Sequence, residues 1–319
     1  MRVALGLCRL LVFTAVACAA PATRAPIESP EPTLASRLGL PDSTRILILH
    51  ADDLGMAPSV NATTISALDQ GFVTSASILA NGAWLESVRE VGSRPSQPDL
   101  GVHLTLTSES PLLRFAPAAS PELVPTLLDS TGTFRFNLTG VSPLSGAKIE
   151  TELRAQIARV RALGVRITHL DSHQGTLFGD STAFAALRRV AKAECLPILL
   201  PREYFAQAPY LADAVADGHV PVDHVAMIGP DVPPAEWLSF YERALRDLRP
   251  GLTQLIVHLG AADDSSRVLF SAHTEGWDAD WRERDAEVVA SPTFRQLLRE
   301  LNVRLVRWAD LAPASRLCR

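Results

Sequence analysis

Four cysteines in 319 residues leave little material for a cysteine-held metal cluster or a dense disulfide framework. Cys8 and Cys18 fall in the first twenty residues, while Cys195 and Cys318 have no metal-ligand spacing to one another. A disulfide between the latter two is possible in an oxidising compartment. The preferred reading takes Cys195 as a small buried apolar residue. Basic runs are also missing: 30 Lys and Arg stand against 35 Asp and Glu, for a net charge of −5. With no arginine stripe and no interleaved aromatic cluster, nucleic acid is excluded as the expected partner. The one long apolar stretch, "VALGLCRLLVFTAVACAA", is interrupted by Arg9 and is too short for a good membrane span. No internal repeat occurs. What remains is 47% hydrophobic and 20% charged, a globular composition. The length suits one large α/β domain or two modest ones.

The opening stretch follows a single positive charge at Arg2, and small residues surround Cys18 in "AVAC". Residues 1–20 therefore read as an export signal. It is either a lipoprotein signal with lipid on Cys18, or a secretory signal cut near Ala17 or Ala20. Ala15 stands where a lipoprotein signal usually has leucine. The mature chain is expected to be exported, as a periplasmic protein or a membrane-anchored lipoprotein, with no other membrane contact. Residues 21–43, rich in Pro, Ser and Thr, read as a linker.

From Arg45 onward, short apolar runs alternate with helical patterns. "RILILHAD", "FVTSASILAN", "LGVHLTLT", "VRITHLDSH", "LPILLP", "LTQLIVHLG" and "VRLVRWADL" are strand-like. Between them, "SVNATTISALDQG", "KIETELRAQIARVRALG", "FAALRRVAKAE", "WLSFYERALRDL" and "SPTFRQLLREL" are helical. Such alternation indicates parallel βαβ units. About seven strands suit a closed or nearly closed (β/α) barrel, TIM-like or incomplete and seven-stranded, over residues 44–312. The longest irregular insertion, Ser108 to Gly146, is expected to cover the barrel mouth.

Three strand-like segments carry histidine or aspartate near their C-terminal ends. They are "HADDLG" with His50, Asp52 and Asp53, "GVHLTLT" with His103, and "THLDSHQG" with His169, Asp171 and His173. Side chains alternate along a strand, so His103 shares a face with Thr105 and Thr107, and His169, Asp171 and His173 share another. Barrel sites lie at the C-terminal strand ends, where the three clusters are expected to converge. Each alone has an ordinary explanation. Paired acids usually face solvent, a lone histidine is usually satisfied in a core, and "HLDSH" suits a structural hydrogen-bond cluster. The "ILIL" before this Asp-Asp pair argues against the surface, and the weight rests on the three together. Carboxylate and imidazole suit a divalent cation, and three protein ligands leave a position open for water. Asp52 can then take a proton from that water. His258, ending "LIVH", is either a proton donor to a leaving group or a satisfied core histidine. The glycosylation patterns at Asn61 and Asn137 are weak and are discounted.

The same residues carry a family resemblance. "HADDLGMAPSVNATTISALDQGFVTSASILANG", "GVHLTLT", "THLDSHQ", "VHLG" and "RERDAEVVASPTFRQLL" are similar to segments of the YdjC-like (ChbG-like) carbohydrate deacetylase family, over about Arg45 to Leu311. Its best-understood members remove N-acetyl groups from chitooligosaccharides. The resemblance implies a barrel related to polysaccharide deacetylases with one divalent ion, Mg2+ or Zn2+, at the strand ends. It makes Asp53, His103 and His173 the metal ligands, Asp52 the catalytic base and His258 the general acid. Asp171, with His169 on the same face, is the candidate for orienting a ligand histidine. The family often has asparagine at the position of His50. It also often continues "DSH" with further histidines, where this chain has Gln174, Gly175 and Leu177.

The expected activity is metal-dependent removal of N-acetyl groups from a small oligosaccharide, a hydrolysis of carbon-nitrogen bonds in linear amides. The rivals are a metal-dependent hydrolase of another amide or ester, and an exported carbohydrate-binding lipoprotein without turnover.

Overall fold

Arg45–Leu54 (β1) is buried at nine successive positions, from Ile46 to Leu54. Its apolar run is tolerated because β1 lies in the middle of a parallel sheet, covered on both faces. The computed structural model describes residues 32–141, 143–273 and 276–318. The export signal and the lipidation candidate Cys18 lie outside them, as does the linker up to residue 31.

Six further strands follow: Ser75–Ile78 (β2), Leu100–Leu104 (β3), Ile167–Ser172 (β4), His224–Met227 (β5), Gly251–Val257 (β6) and Arg304–Leu305 (β7). Their order is β4-β3-β2-β1-β6-β5, parallel throughout, with β7 also paired to β1. Parallel bridges at Leu170–Ile198 and Pro201–Val222 carry the ring from β4 back to β5. The expected "LPILLP" strand therefore serves as a stave without forming a continuous ladder. Pro197 and Pro201 remove two of its N–H donors. The architecture is a seven-membered, incompletely laddered (β/α) barrel. β7 adds no stave of its own: it meets β1 at Ile46 and Leu47, below the point where β2 takes over at His50.

The outer helices are Pro58–Asp69 (α1), Gly146–Arg161 (α2), Ser181–Glu194 (α3), Trp237–Arg246 (α4), Ala279–Ala290 (α5) and Pro292–Glu300 (α6). α2 buries Ile149, Leu153, Ile157 and Val160, spaced by threes and fours along one face. α5 escapes the periodicity because its buried face includes Arg282 and Asp285 beside Trp281, Val288 and Val289. β5 was equally hidden, since its four residues are only half-buried or exposed.

Residues Leu34–Arg37, placed in the linker by composition, form one helical turn whose Leu34 and Ala35 are buried in a cluster with Ile46, Ile48 and Trp308. Cys195 and Cys318 are joined in a disulfide, which corrects the preferred reading of Cys195 as a free apolar residue. The insertion after β3 is packed rather than loose. Phe115, Leu127 and Phe134 are buried, and Glu152 of α2 accepts the Ala118 and Ala119 N–H groups.

Candidate active site

β1 does not end as a regular strand. Its register with β2 slips between Ala51 and Leu54, Asp53 has φ 71°, and Gly55 follows at φ 104°. Regular alternation would send two neighbouring side chains to opposite faces; the slip turns both carboxylates toward the barrel mouth. A left-handed aspartate is strained, and the surroundings hold it there. Asn61 of α1 accepts the Gly55 N–H at 2.6 Å and is itself buried, so this glycosylation pattern serves the turn.

Asp53 Oδ1 lies 3.5 Å from His103 Nε2 and 3.5 Å from His173 Nδ1. Ligand atoms of these three residues are all within 4.8 Å of one another, although they come from β1, β3 and the turn after β4. Asp53 Oδ1 is buried with no hydrogen-bond partner among the described residues. Its other oxygen accepts from Arg282 Nη2 at 2.9 Å. The Arg282 pairing thus leaves one carboxylate oxygen free to meet the two imidazoles. Among the described residues two other groups, His50 with His169 and Asp171, and Asp52 with His103 and Asp171, meet the same spacing. Only Asp53, His103 and His173 all line the cavity above.

Behind His103, Asp171 Oδ1 accepts from Nδ1 at 2.7 Å, which orients the ring with Nε2 toward Asp53. His169 sits one layer deeper, stacked on Trp308 at 5.0 Å and edge-on to His50 at 5.0 Å. Its ring contacts are with His50 and Trp308 at the barrel floor. Behind His173, Nε2 is 3.3 Å from Glu109 Oε1, and Glu109 Oε2 is 2.8 Å from His273 Nε2. Neither Glu109 nor His273 was singled out from sequence. Glu109 lies at the start of the insertion expected to cover the mouth, which was its only signal. Arg282 stands in the quoted "RERDAE" but carries no motif of its own.

Asp52 turns Oδ1 to His50 Nε2 at 3.1 Å and leaves Oδ2 3.9 Å from both His103 Nε2 and His258 Nε2. His258 follows β6, donates its backbone N–H to Asp285 at 2.9 Å, and meets Trp277 edge-on at 4.9 Å. Burial lowers its pKa, so its ring is neutral near pH 7.

Buried negative charge dominates the floor. Burial opposes ionisation of Asp53, but Arg282 and the neighbouring imidazoles hold it well below the ordinary carboxylate range. Burial likewise works against a charged His103, yet Asp171 and Asp52 outweigh it and raise the ring to about 10. The carboxylates thus demand positive charge, whether from protons or from a cation.

The cavity over this floor measures about 700 Å³. Its walls include Phe178, Tyr204, Met227 and Trp277, so an apolar and aromatic rim surrounds a charged base.

The YdjC-like protein family model matches residues 46–300. A carbohydrate deacetylase of Thermus thermophilus is 34% identical over 277 residues, covering 84% of this chain and 95% of its own. Another, of Thermoanaerobacter pseudethanolicus, is 27% identical over 273 residues, or 84% and 99% of the two chains. A solved structure from Enterococcus faecalis V583, provisionally described as a cellobiose-phosphate cleavage protein, superposes with TM-score 0.69 at 22% identity. It covers 84% of this chain and 99% of its own, and speaks for the fold alone. By the extent of the family match and of the Thermus relative, this chain is a member of the YdjC-like protein family.

Proposed function

We propose that the protein is a metal-dependent deacetylase that removes N-acetyl groups from a sugar oligomer. One observation carries the reading: the unpartnered Asp53 Oδ1 and the His103 and His173 nitrogens face each other at the base of the open cavity. The carbohydrate deacetylases among its relatives supply the substrate class. Two imidazoles and one carboxylate oxygen fit a divalent ion, and this donor set suits zinc better than magnesium, which prefers oxygen ligands.

Such an ion supplies Lewis acidity to the acetyl carbonyl and acidifies a water. The chain's own residues do the rest. Asp53 is held by Arg282 and His103 by Asp171, so neither has to reorganise. Asp52 Oδ2 takes the proton of the attacking water. His258 Nε2, neutral and 3.9 Å from that oxygen, accepts the proton and passes it to the departing nitrogen. The balance is one amide and one water consumed, one amine and one acetate formed. The aromatic rim of Phe178, Tyr204 and Trp277 offers flat faces to sugar rings.

Export fits the N-terminal signal pattern, and the Cys195–Cys318 disulfide suits an oxidising compartment. Fractionation of the native host, with lipid labelling of Cys18, tests the location.

Acetate release from N-acetylated chitooligosaccharides, measured before and after chelation and zinc return, tests the activity. Turnover that survives complete chelation refutes metal dependence. Binding of the sugar without acetate release refutes the enzyme and leaves a carbohydrate-binding protein.

A further inference from the structure

His50 is fully buried within β1 and takes no part in the steps above. Its Nε2 lies 3.1 Å from Asp52 Oδ1, 3.2 Å from Asp171 Oδ2 and 3.1 Å from Ser77 Oγ. One N–H is thus shared between two carboxylates, one beside the cavity and the other behind His103. Ser77 Oγ, 3.4 Å from Asp52 Oδ1, adds only a long contact. Asp171 keeps its own 2.7 Å bond to His103 whatever His50 does. Among the described residues, Asp52 Oδ1 has no second partner as close as His50.

The ring packs against a second imidazole. It meets His169 edge-on at 5.0 Å, and His169 lies flat on Trp308. Room for that stack exists because position 101 is glycine: a Cβ there would stand 2.4 Å from His169 Nε2. Burial disfavours charge on His50, but Asp171 and Asp52 outweigh it and raise the ring to about 9. A column of rings from the barrel floor therefore ends in an N–H donor placed under Asp52.

We propose that His50 is the positioning residue for Asp52: by engaging Oδ1 it fixes the carboxylate so that Oδ2 alone faces the reacting water. The assignment rests on the metal-dependent hydrolase reading but not on the sugar. Orientation of a base acts on the chemical step and leaves substrate affinity untouched.

The test uses the full zinc-loaded chain with two substrates, an N-acetylated chitooligosaccharide and 4-nitrophenyl acetate, which needs no sugar recognition. His50→Leu is expected to lower kcat at least about 100-fold with KM within about twofold. His50→Gln, whose amide nitrogen reaches the position of Nε2, should keep kcat within about tenfold of the parent. In an Asp52→Asn background, His50→Leu should cost nothing more, because its effect passes through Asp52. Metal stoichiometry and the visible spectrum of the cobalt-loaded protein should match the parent in every variant. His50→Ala replaces the leucine variant if the latter does not fold.

Unchanged kcat in His50→Leu, or a further loss in the Asp52→Asn background, overturns the assignment. So does loss of cobalt from the variants, which would make His50 a support of the ligand cage. A glutamine variant as poor as leucine overturns it as well. Turnover of the aryl acetate alone sinks the sugar reading and leaves His50 to be judged on that substrate; turnover of neither sinks both.

Discussion

Arg282→Met removes the cation that ties α5 to the end of β1. Arg282 Nη2 and Asp53 Oδ2 are 2.9 Å apart, and each side chain is 2% exposed. At an effective dielectric of about 20, unit charges at that distance attract by roughly 6 kcal/mol. Desolvation offsets part of this, and breaking a buried pair at one partner typically costs about 3–5 kcal/mol. Methionine fills much of the arginine stem, so the loss is mainly that of charge. Without metal, Asp53 is left as a buried carboxylate next to Asp52, with only the neighbouring imidazoles to offset its charge, and feels most of the cost. The folded body runs from Pro32 to Arg319. Taking about 2 cal/mol/K per residue over roughly 290 residues, its unfolding entropy is about 0.6 kcal/mol/K, and the expected fall in Tm is about 5–8 °C. Zinc at Asp53 supplies the missing positive charge, so the fall should shrink to less than half in the loaded protein. Calorimetry of parent and variant, with chelator and with zinc, reads both quantities. Equal falls in the two conditions, or a metal-free fall below about 1 °C, would refute the shared-carboxylate reasoning.

Cys318→Ser opens a loop with a sequence separation of 123, for which chain entropy estimates about 5 kcal/mol. Its Tm should fall by roughly 8 °C, and an unchanged Tm under oxidising conditions contradicts the link. In the chelated protein, His50 and His103 have folded pKa values of about 9 and about 10, above the ordinary 6.5. Their stabilisation is therefore complete below about pH 6.5 and is lost as pH rises through about 9 to 10. Urea midpoints should drop over that span, and a rise would contradict it. Gly101→Ala drives a methyl into the His169 ring, with overpacking worth about 1–3 kcal/mol. Chemical denaturation should record that loss, and a neutral result would show that the ring stack yields freely.

The elements legible in advance were those whose packing is apolar. β1, α2 and α6 bury continuous or regularly spaced hydrophobic side chains, and periodicity finds them. α5 was illegible because its inward face spends two positions on Arg282 and Asp285, which serve the site instead of the core. β5, whose residues are only half-buried or exposed, is held mainly by backbone bonds to β6, which leave little trace in composition. At the site, Asp52, Asp53, His103, His173 and Asp171 were legible because charged and imidazole groups are costly beside apolar strand runs unless they have a use. Glu109 and His273 were not, since in irregular segments the same residue types are ordinary surface groups.

The sequence by itself determined the alternation of strands and helices, the apolar faces that close the barrel, and the polar residues set at the strand ends. These follow from local periodicity and from solvation costs that each residue carries wherever it goes. Only the tertiary structure decided which oxygen of each aspartate is engaged, that Arg282 reaches Asp53 and Glu109 reaches His173, and that His50 stands beneath Asp52. Those facts depend on distances between segments as much as 229 positions apart, and only the closing of the barrel sets them.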